Sequence, residues 1–252
     1  MNPILELHTS TAGHPAPGLT FSTFVIGDSN REACTAAKYA AANSGRCGAL
    51  LVLCGGSGMG KTHLLHAIHS ELLAQNPTAV IKHLNADDFT GYLIQSIHTG
   101  TSEQFRTDCQ NADVFLLDDV QFLVGKPRTQ EELLLILEAR CQVNRCTVIT
   151  LDCPPEQSES AERRFRSYFP DLVLARISAP DYEIRAGLIR AKAANLELQL
   201  SEEEIGLIAQ HVTENLQSIH GILNRINLYR SFPDTFPDAP SIPEIIQNVL
   251  CS

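Results

Sequence analysis

The octet Gly55–Thr62, GGSGMGKT, fits G-x-x-x-x-G-K-[ST] at every fixed position and limits this chain more than any other feature. It follows the apolar run Ala49–Cys54 and precedes HLLHAIHSELL, so strand, glycine loop and helix come in the order that a phosphate loop needs. Glycines let successive backbone N–H groups turn inward around phosphate oxygens without Cβ clashes. A helix starting near Lys61 adds the positive end of its dipole. Gly55, Gly56, Ser57, Gly58, Met59 and Gly60 then form the cradle, Lys61 reaches the β- and γ-phosphates, and the Thr62 hydroxyl ligates Mg²⁺. A nucleoside triphosphate ligand follows from this arrangement.

The strand candidates are 50–53, 80–84, 114–117, 147–151 and 172–177, and the helix candidates among them are 29–43, 61–75, 87–97, 102–110, 129–143 and 158–167. Alternating elements with near-continuous apolar strands imply an α/β domain: a five-stranded parallel sheet with helices on both faces and the phosphate site at its carboxyl edge. After Ile177 only helices are expected, over 181–195, 201–211, 215–229 and 243–250, and Ser201 with Glu204 makes a capping box for the second. The expected division is a loose leader at 1–20 marked by HPAPG, a nucleotide domain at 21–177 and a small all-helical domain at 178–252.

No apolar run approaches the length of a membrane span, and MNPILELHTS lacks the basic start and apolar core of a signal peptide, so a cytoplasmic setting is expected. The eight cysteines are irregularly spaced, which is not a disulfide framework. Cys141 and Cys146, with Cys153 nearby, lack the second close pair of a zinc site, and His63, His66 and His69 share one helix in a spacing that reads as packing or solvent exposure. The formal net charge of −10 repels nucleic acid, so any DNA contact must be local.

A second constellation supports the first. In VFLLDD, Val114–Asp119, four apolar residues deliver two carboxylates to the end of a buried strand. Asp118 is the natural partner of the Mg²⁺ ion, and Asp119 is placed to polarise an attacking water, although acids also follow strands as helix caps. TVITLD ends another strand in Asp152, near the expected γ-phosphate. AERRFRSYF carries Arg163, Arg164 and Arg166, which read either as a solvated face or as groups that reach a neighbouring subunit's nucleotide.

Taken together, these stretches resemble the ATPase domain of the bacterial DnaA replication-initiator family, an AAA+ group. The likeness runs through LTFSTFVIGDSN, GGSGMGKTHLLHAIHSELLAQNP, FRTDCQNADVFLLDDVQFLVGKPRTQEE, TVITLDCPPE, ERRFRSYF, APDYEIRAGLIRAKA and NLQSIHGILNRI, covering roughly residues 18–252. It implies an AAA+ P-loop fold with a helical lid, and ATP with Mg²⁺ as ligands. It also implies that Val25, Ile26 and Asn30 lie near the adenine, that Asp118 and Asp119 are the Walker B pair, and that Asp152 is the sensor 1 acid. Single-stranded DNA contact is implied for Lys126, Arg128 and Thr129 of GKPRTQ, since two cations and a hydroxyl on one loop can hold successive phosphates.

The resemblance also marks departures. At the family's trans-acting arginine finger this chain has Tyr168, and a phenol cannot replace a guanidinium worth about 10³–10⁵ in rate. A homo-oligomer is therefore expected to hydrolyse ATP slowly unless Arg164 or Arg166 substitutes. Gln217 stands at the sensor 2 arginine and brings no charge to the γ-phosphate. With the chain ending at Ser252, neither the duplex-reading helix-turn-helix domain nor the amino-terminal partner-binding domain is expected. The role implied is an ATP-binding module in replication initiation or its control, partnered by a replication initiator or other AAA+ subunits. Other readings are an Hda-like regulator, a helicase-loader or transposition-helper ATPase, and a small-molecule kinase, whose arginine-rich lid is not evident beyond ERRFR.

Overall fold

The computed structural model describes residues 15–43, 50–153, 163, 165–213 and 216–250. Most of the expected leader, residues 158–162 of the expected helix at 158–167, Arg164 and the side chain of Gln217 lie outside the described residues.

Five parallel strands make one sheet in the order β2-β3-β4-β1-β5: β1 Leu50–Gly55, β2 Ile81–Asn85, β3 Val114–Asp118, β4 Cys146–Asp152 and β5 Val173–Ile177. Every residue of β1 and β3 is buried, as apolar runs in a sheet covered on both faces must be. The covering helices are α1 Arg31–Ala42, α2 Lys61–Gln75, α3 Ala86–Thr99, α4 Ser102–Asn111 and α5 Pro127–Gln142. Val52, Phe89, Phe115, Leu117, Ile136 and Ile149 pack the core between strands and helices. Asn85 ends β2 and caps α3 by accepting the Asp88 N–H at 2.8 Å.

The start of α5 differs from the sequence expectation. Proline at the first helical position is favourable, because its fixed φ suits the helix and its missing N–H has no helical partner there. The helix therefore begins at Pro127, with Lys126 as its N-cap residue. Arg128 and Thr129 belong to its first turn, not to a loop.

At the amino edge of the sheet, α5 sends down a fully buried arginine. Arg140 Nε donates to Thr147 Oγ1 at 2.8 Å. Its Nη1 donates to the carbonyls of Cys109, Gln110 and Ala112, and its Nη2 to those of Cys146 and Asp113, at 2.6–3.5 Å. The guanidinium also lies 5.7 Å from the centre of the Phe115 ring. Burial pulls its pKa down to about 10, so it stays a cation at neutral pH, facing the carbonyl end of α4.

The chain divides into two compact units. One is built on the sheet and runs to Ile177; the other gathers Ser178 onward with two earlier segments, Val25–Arg31 and Ser57–Met59. The second unit contains α6 Tyr182–Asn195, α7 Glu202–His211, α8 Gln217–Ser231 and α9 Ile242–Leu250. Its own core includes Ile189, Ile205, Ile208, Ile219, Ile222 and Ile245. Ser201 and Glu204 form the capping box that their spacing predicts. Among the described residues no helix is long and apolar enough to cross a membrane.

Candidate nucleotide-binding site

Because β3, β4 and β1 are neighbours, the carboxyl ends of these strands bring Asp118, Asp152 and Gly55 side by side. Gly55 is in register with Asp152, and one step beyond the last β3–β4 pair, Leu117 with Ile149, Asp118 meets Thr150. Gly55 has a packing reason to be glycine. A Cβ there would lie 2.6 Å from the Ile177 carbonyl oxygen, so β1 and β5 could not approach as they do. Gly60 has a conformational one, with φ of 96° in the left-handed region just before α2.

Lys61 is only 5% exposed. Its ammonium donates to the carbonyls of Gly55 and Gly56, both at 2.8 Å, and lies 3.7 Å from Asp152 Oδ1. Thr62 Oγ1 donates to Asp118 Oδ2 at 2.7 Å, joining residues 56 apart in sequence. The other Asp118 oxygen accepts from the buried Thr150 hydroxyl. Asp119 has a φ of 59°, uncommon for a residue with a side chain, and such outliers concentrate at functional sites. Its N–H donates to Thr150 Oγ1 at 2.7 Å, and its Oδ1 accepts from Gln121 Nε2 at 2.9 Å. Gln121 Oε1 in turn accepts the N–H of Asp152 at 2.8 Å. Sequence reasoning missed Thr150 and Gln121. A hydroxyl inside an apolar strand was a usable signal for the first, whereas Gln121 sits in a single 3₁₀ turn, Val120–Leu123, whose faces periodicity does not reveal.

Ser57, Gly58 and Met59 form the middle of the loop, and Gly58 has a φ of 75°. The turn bearing Val25 and Ile26 is closed by Asn30, whose Oδ1 accepts the Gly27 N–H and whose Nδ2 donates to the Val25 carbonyl, both at 2.9 Å. The buried Asn30 amide thus holds the turn, leaving Val25 and the exposed Ile26 as the residues it presents. Val25 packs on Gly187 of α6.

Behind the loop, α2 carries three histidines. His63 Nε2 lies 2.9 Å from the Thr20 carbonyl, and His66 Nδ1 accepts the Ala16 N–H at 3.2 Å, so the end of the expected leader is fastened to α2. His69 Nδ1 meets His83 Nδ1 of β2 at 3.1 Å, and the His66 ring also packs on His83. Burial, then the neighbouring imidazoles, push the His83 pKa down to about 3.

Of the expected DNA-contact residues, Arg128 is exposed and Lys126 is half-buried beside Asp87 Oδ1 at 3.5 Å. Thr129 is only 6% exposed, because the first turn of α5 points it inward. Phe122 and Val124, just before Lys126, are exposed apolar side chains.

The profile of the bacterial DnaA ATPase domain matches residues 16–174. The chain belongs to this DnaA family. It is similar to the chromosomal replication initiator protein DnaA of Symbiobacterium thermophilum, with 37% identity over 227 residues, 90% of this chain and 50% of that protein. It thus spans about half the length of the curated DnaA relatives that it matches. Its fold is similar to that of domain III of Thermotoga maritima DnaA, with a TM-score of 0.80 and 29% identity over 93% of this chain and 97% of that one. A DnaA structure bound to AMPPCP and single-stranded DNA gives a TM-score of 0.75 at 30% identity, over 88% of this chain and 69% of that one. The AAA+ P-loop fold is therefore established. In this DnaA-family chain Tyr168 is exposed on the helical turn 165–168.

Proposed function

We propose that this chain is an ATP-binding AAA+ module of the DnaA type that acts in the initiation of chromosomal replication or its control. Its setting is the cytoplasm, and its partners are replication-initiator or other AAA+ subunits. The observation that carries this reading is the meeting of Lys61, Thr62 and Asp118 at the carboxyl edge of the sheet in a chain of this family. Carbonyls are weaker acceptors for an ammonium than phosphate oxygens are, so Lys61 can exchange Gly55 and Gly56 for a nucleotide. Thr62 Oγ1 and Asp118 Oδ2 are a hard-oxygen pair of the kind Mg²⁺ takes, and the ion would neutralise phosphate charge there. Asp119 is the group to orient an attacking water and Asp152 the acid beside the γ-phosphate lysine. Val25 and Ile26 take the base-side role that the family resemblance gives them. Turnover is slow, because Tyr168 offers no charge to a neighbour's nucleotide.

Arg128 and Lys126 contact single-stranded DNA, and the exposed Phe122 adds a face on which a base can stack. Support comes from the DnaA relative bound to AMPPCP and single-stranded DNA. The test is to titrate a labelled single-stranded oligonucleotide with the chain in ATP, in ADP and without nucleotide, at fixed moderate salt. Binding is expected with ATP only and is lost in Lys61→Ala and Arg128→Ala. Equal binding in all three states would remove the nucleotide dependence, and failure to bind a fluorescent ATP analogue would sink the whole reading.

A further inference from the structure

The nucleotide reading leaves two side chains among its residues without a role, and both complete a closed polar circuit. From Lys61 the circuit runs to the Asp152 carboxylate, then from the Asp152 N–H to Gln121 Oε1. Gln121 Nε2 reaches Asp119 Oδ1, the Asp119 N–H reaches Thr150 Oγ1, and that hydroxyl reaches Asp118. Asp118 accepts from Thr62, the residue after Lys61. Every link lies in the sheet unit. The orientation of the Gln121 amide follows from its partners: a carboxylate can only accept and a backbone N–H can only donate, so the NH₂ faces Asp119 and the oxygen faces Asp152.

We propose that Gln121 is a positioning residue for ATP hydrolysis, with Thr150 as its counterpart on the other side of Asp119. The inference rests on the nucleotide reading above. In that step the oxygen of a water bonds to the γ-phosphorus while the bond from phosphorus to the β–γ bridging oxygen breaks. The electron pair stays on ADP, and one water proton passes to the Asp119 carboxylate and on to solvent. Only one orientation of that carboxylate serves the step. Thr150 fixes the left-handed backbone of Asp119, and the Gln121 N–H fixes the carboxylate at the other end. The other half of the same amide holds the backbone of Asp152, whose carboxylate lies beside Lys61.

The experiment is single-turnover hydrolysis of prebound γ-labelled ATP with protein in excess, alongside the dissociation constant of a fluorescent ATP analogue and the melting temperature. Gln121→Leu removes both halves of the bridge. Gln121→Glu can keep the Asp152 half but sets a like charge against Asp119. For both, the hydrolysis rate is expected to fall roughly tenfold or more while nucleotide affinity stays within about threefold. Thr150→Val is expected to behave like Gln121→Leu, and Thr150→Ser to restore the rate to within about threefold of the parent. A merely structural role would instead move rate, affinity and melting temperature together, and that result would overturn the inference. So would a parent-like rate in Gln121→Leu. A parent chain that binds ATP without turning it over also removes the positioning role but leaves the binding reading intact, whereas a parent that binds no ATP removes both.

Discussion

Arg140 and Lys61 are both buried cations of the sheet unit, one at the amino edge of the strands and one at the carboxyl edge, and their surroundings differ in kind. The five N–H groups of Arg140 face five carbonyls and one hydroxyl, none of them a formal charge. Nothing is left over for a ligand. Lys61 rests on two carbonyls of its own loop and lies near one carboxylate at 3.7 Å, beyond hydrogen-bond length. Saturation marks Arg140 as a structural cation, and loose tenure fits the ligand role proposed for Lys61.

The largest expected effect tests that contrast directly. Arg140→Met strips the donors from the buried carbonyls of Cys109, Ala112 and Cys146, so the folded state should lose about 3–5 kcal/mol. Lys61→Met leaves carbonyls at the loop and should cost under about 1 kcal/mol, while ATP affinity drops about a hundredfold or more. Urea unfolding of both variants, paired with nucleotide titration, is the measurement. If Lys61→Met unfolds as readily as Arg140→Met, the distinction between the two edges fails.

The same contrast explains what the sequence could show. The strands were legible because buried parallel strands are continuous apolar runs, and the phosphate loop because its residue types are dictated by phosphate geometry. Arg140 was not legible, since nothing in its type or spacing says that α5 turns it toward the ends of α4 and β4. GKPRTQ reads as a loop on which Thr129 joins Lys126 and Arg128, whereas Pro127 starts a helix there that buries Thr129. Gln121 depends on the left-handed backbone at Asp119, which no local pattern announces. The candidate residues that local motifs carry can be placed from sequence, while those positioned by a long-range turn cannot.

His83 sharpens the comparison, because it meets burial by staying neutral. Its folded pKa is pushed down to about 3 from an ordinary 6.5, first by desolvation and then by His66 and His69. Below pH 6.5 the unfolded chain takes up a proton at this imidazole that the folded chain refuses, so stability falls as pH drops toward 3. Each pH unit within that window costs up to about 1.4 kcal/mol. His63 and His66, also depressed mainly by burial, push the same way. Melting temperature should therefore fall between pH 7.5 and 5.5, values chosen to straddle the ordinary His pKa of about 6.5. His83→Leu should lessen that fall, and an unchanged acid slope would mean that His83 accepts its proton in the folded state.

Arg106 and Glu132 supply the smallest effect and the strictest check. This pair also ties α4 to α5, with Arg106 Nε and Nη2 donating to the two Glu132 oxygens at 2.9 and 2.7 Å. By geometry it is the better ion pair, bidentate onto a carboxylate, whereas Arg140 meets no carboxylate among the described residues. Water decides the ranking. Arg106 is 35% exposed and Glu132 14%, so water reaches the guanidinium side of the pair, and breaking it costs less than leaving fully buried carbonyls unmet. A double-mutant cycle of Arg106→Ala with Glu132→Ala should give a coupling of about 0.5–1 kcal/mol that shrinks in high salt. A coupling that matched the Arg140→Met loss would show that charge pairing, not the saturation of buried carbonyls, joins these helices.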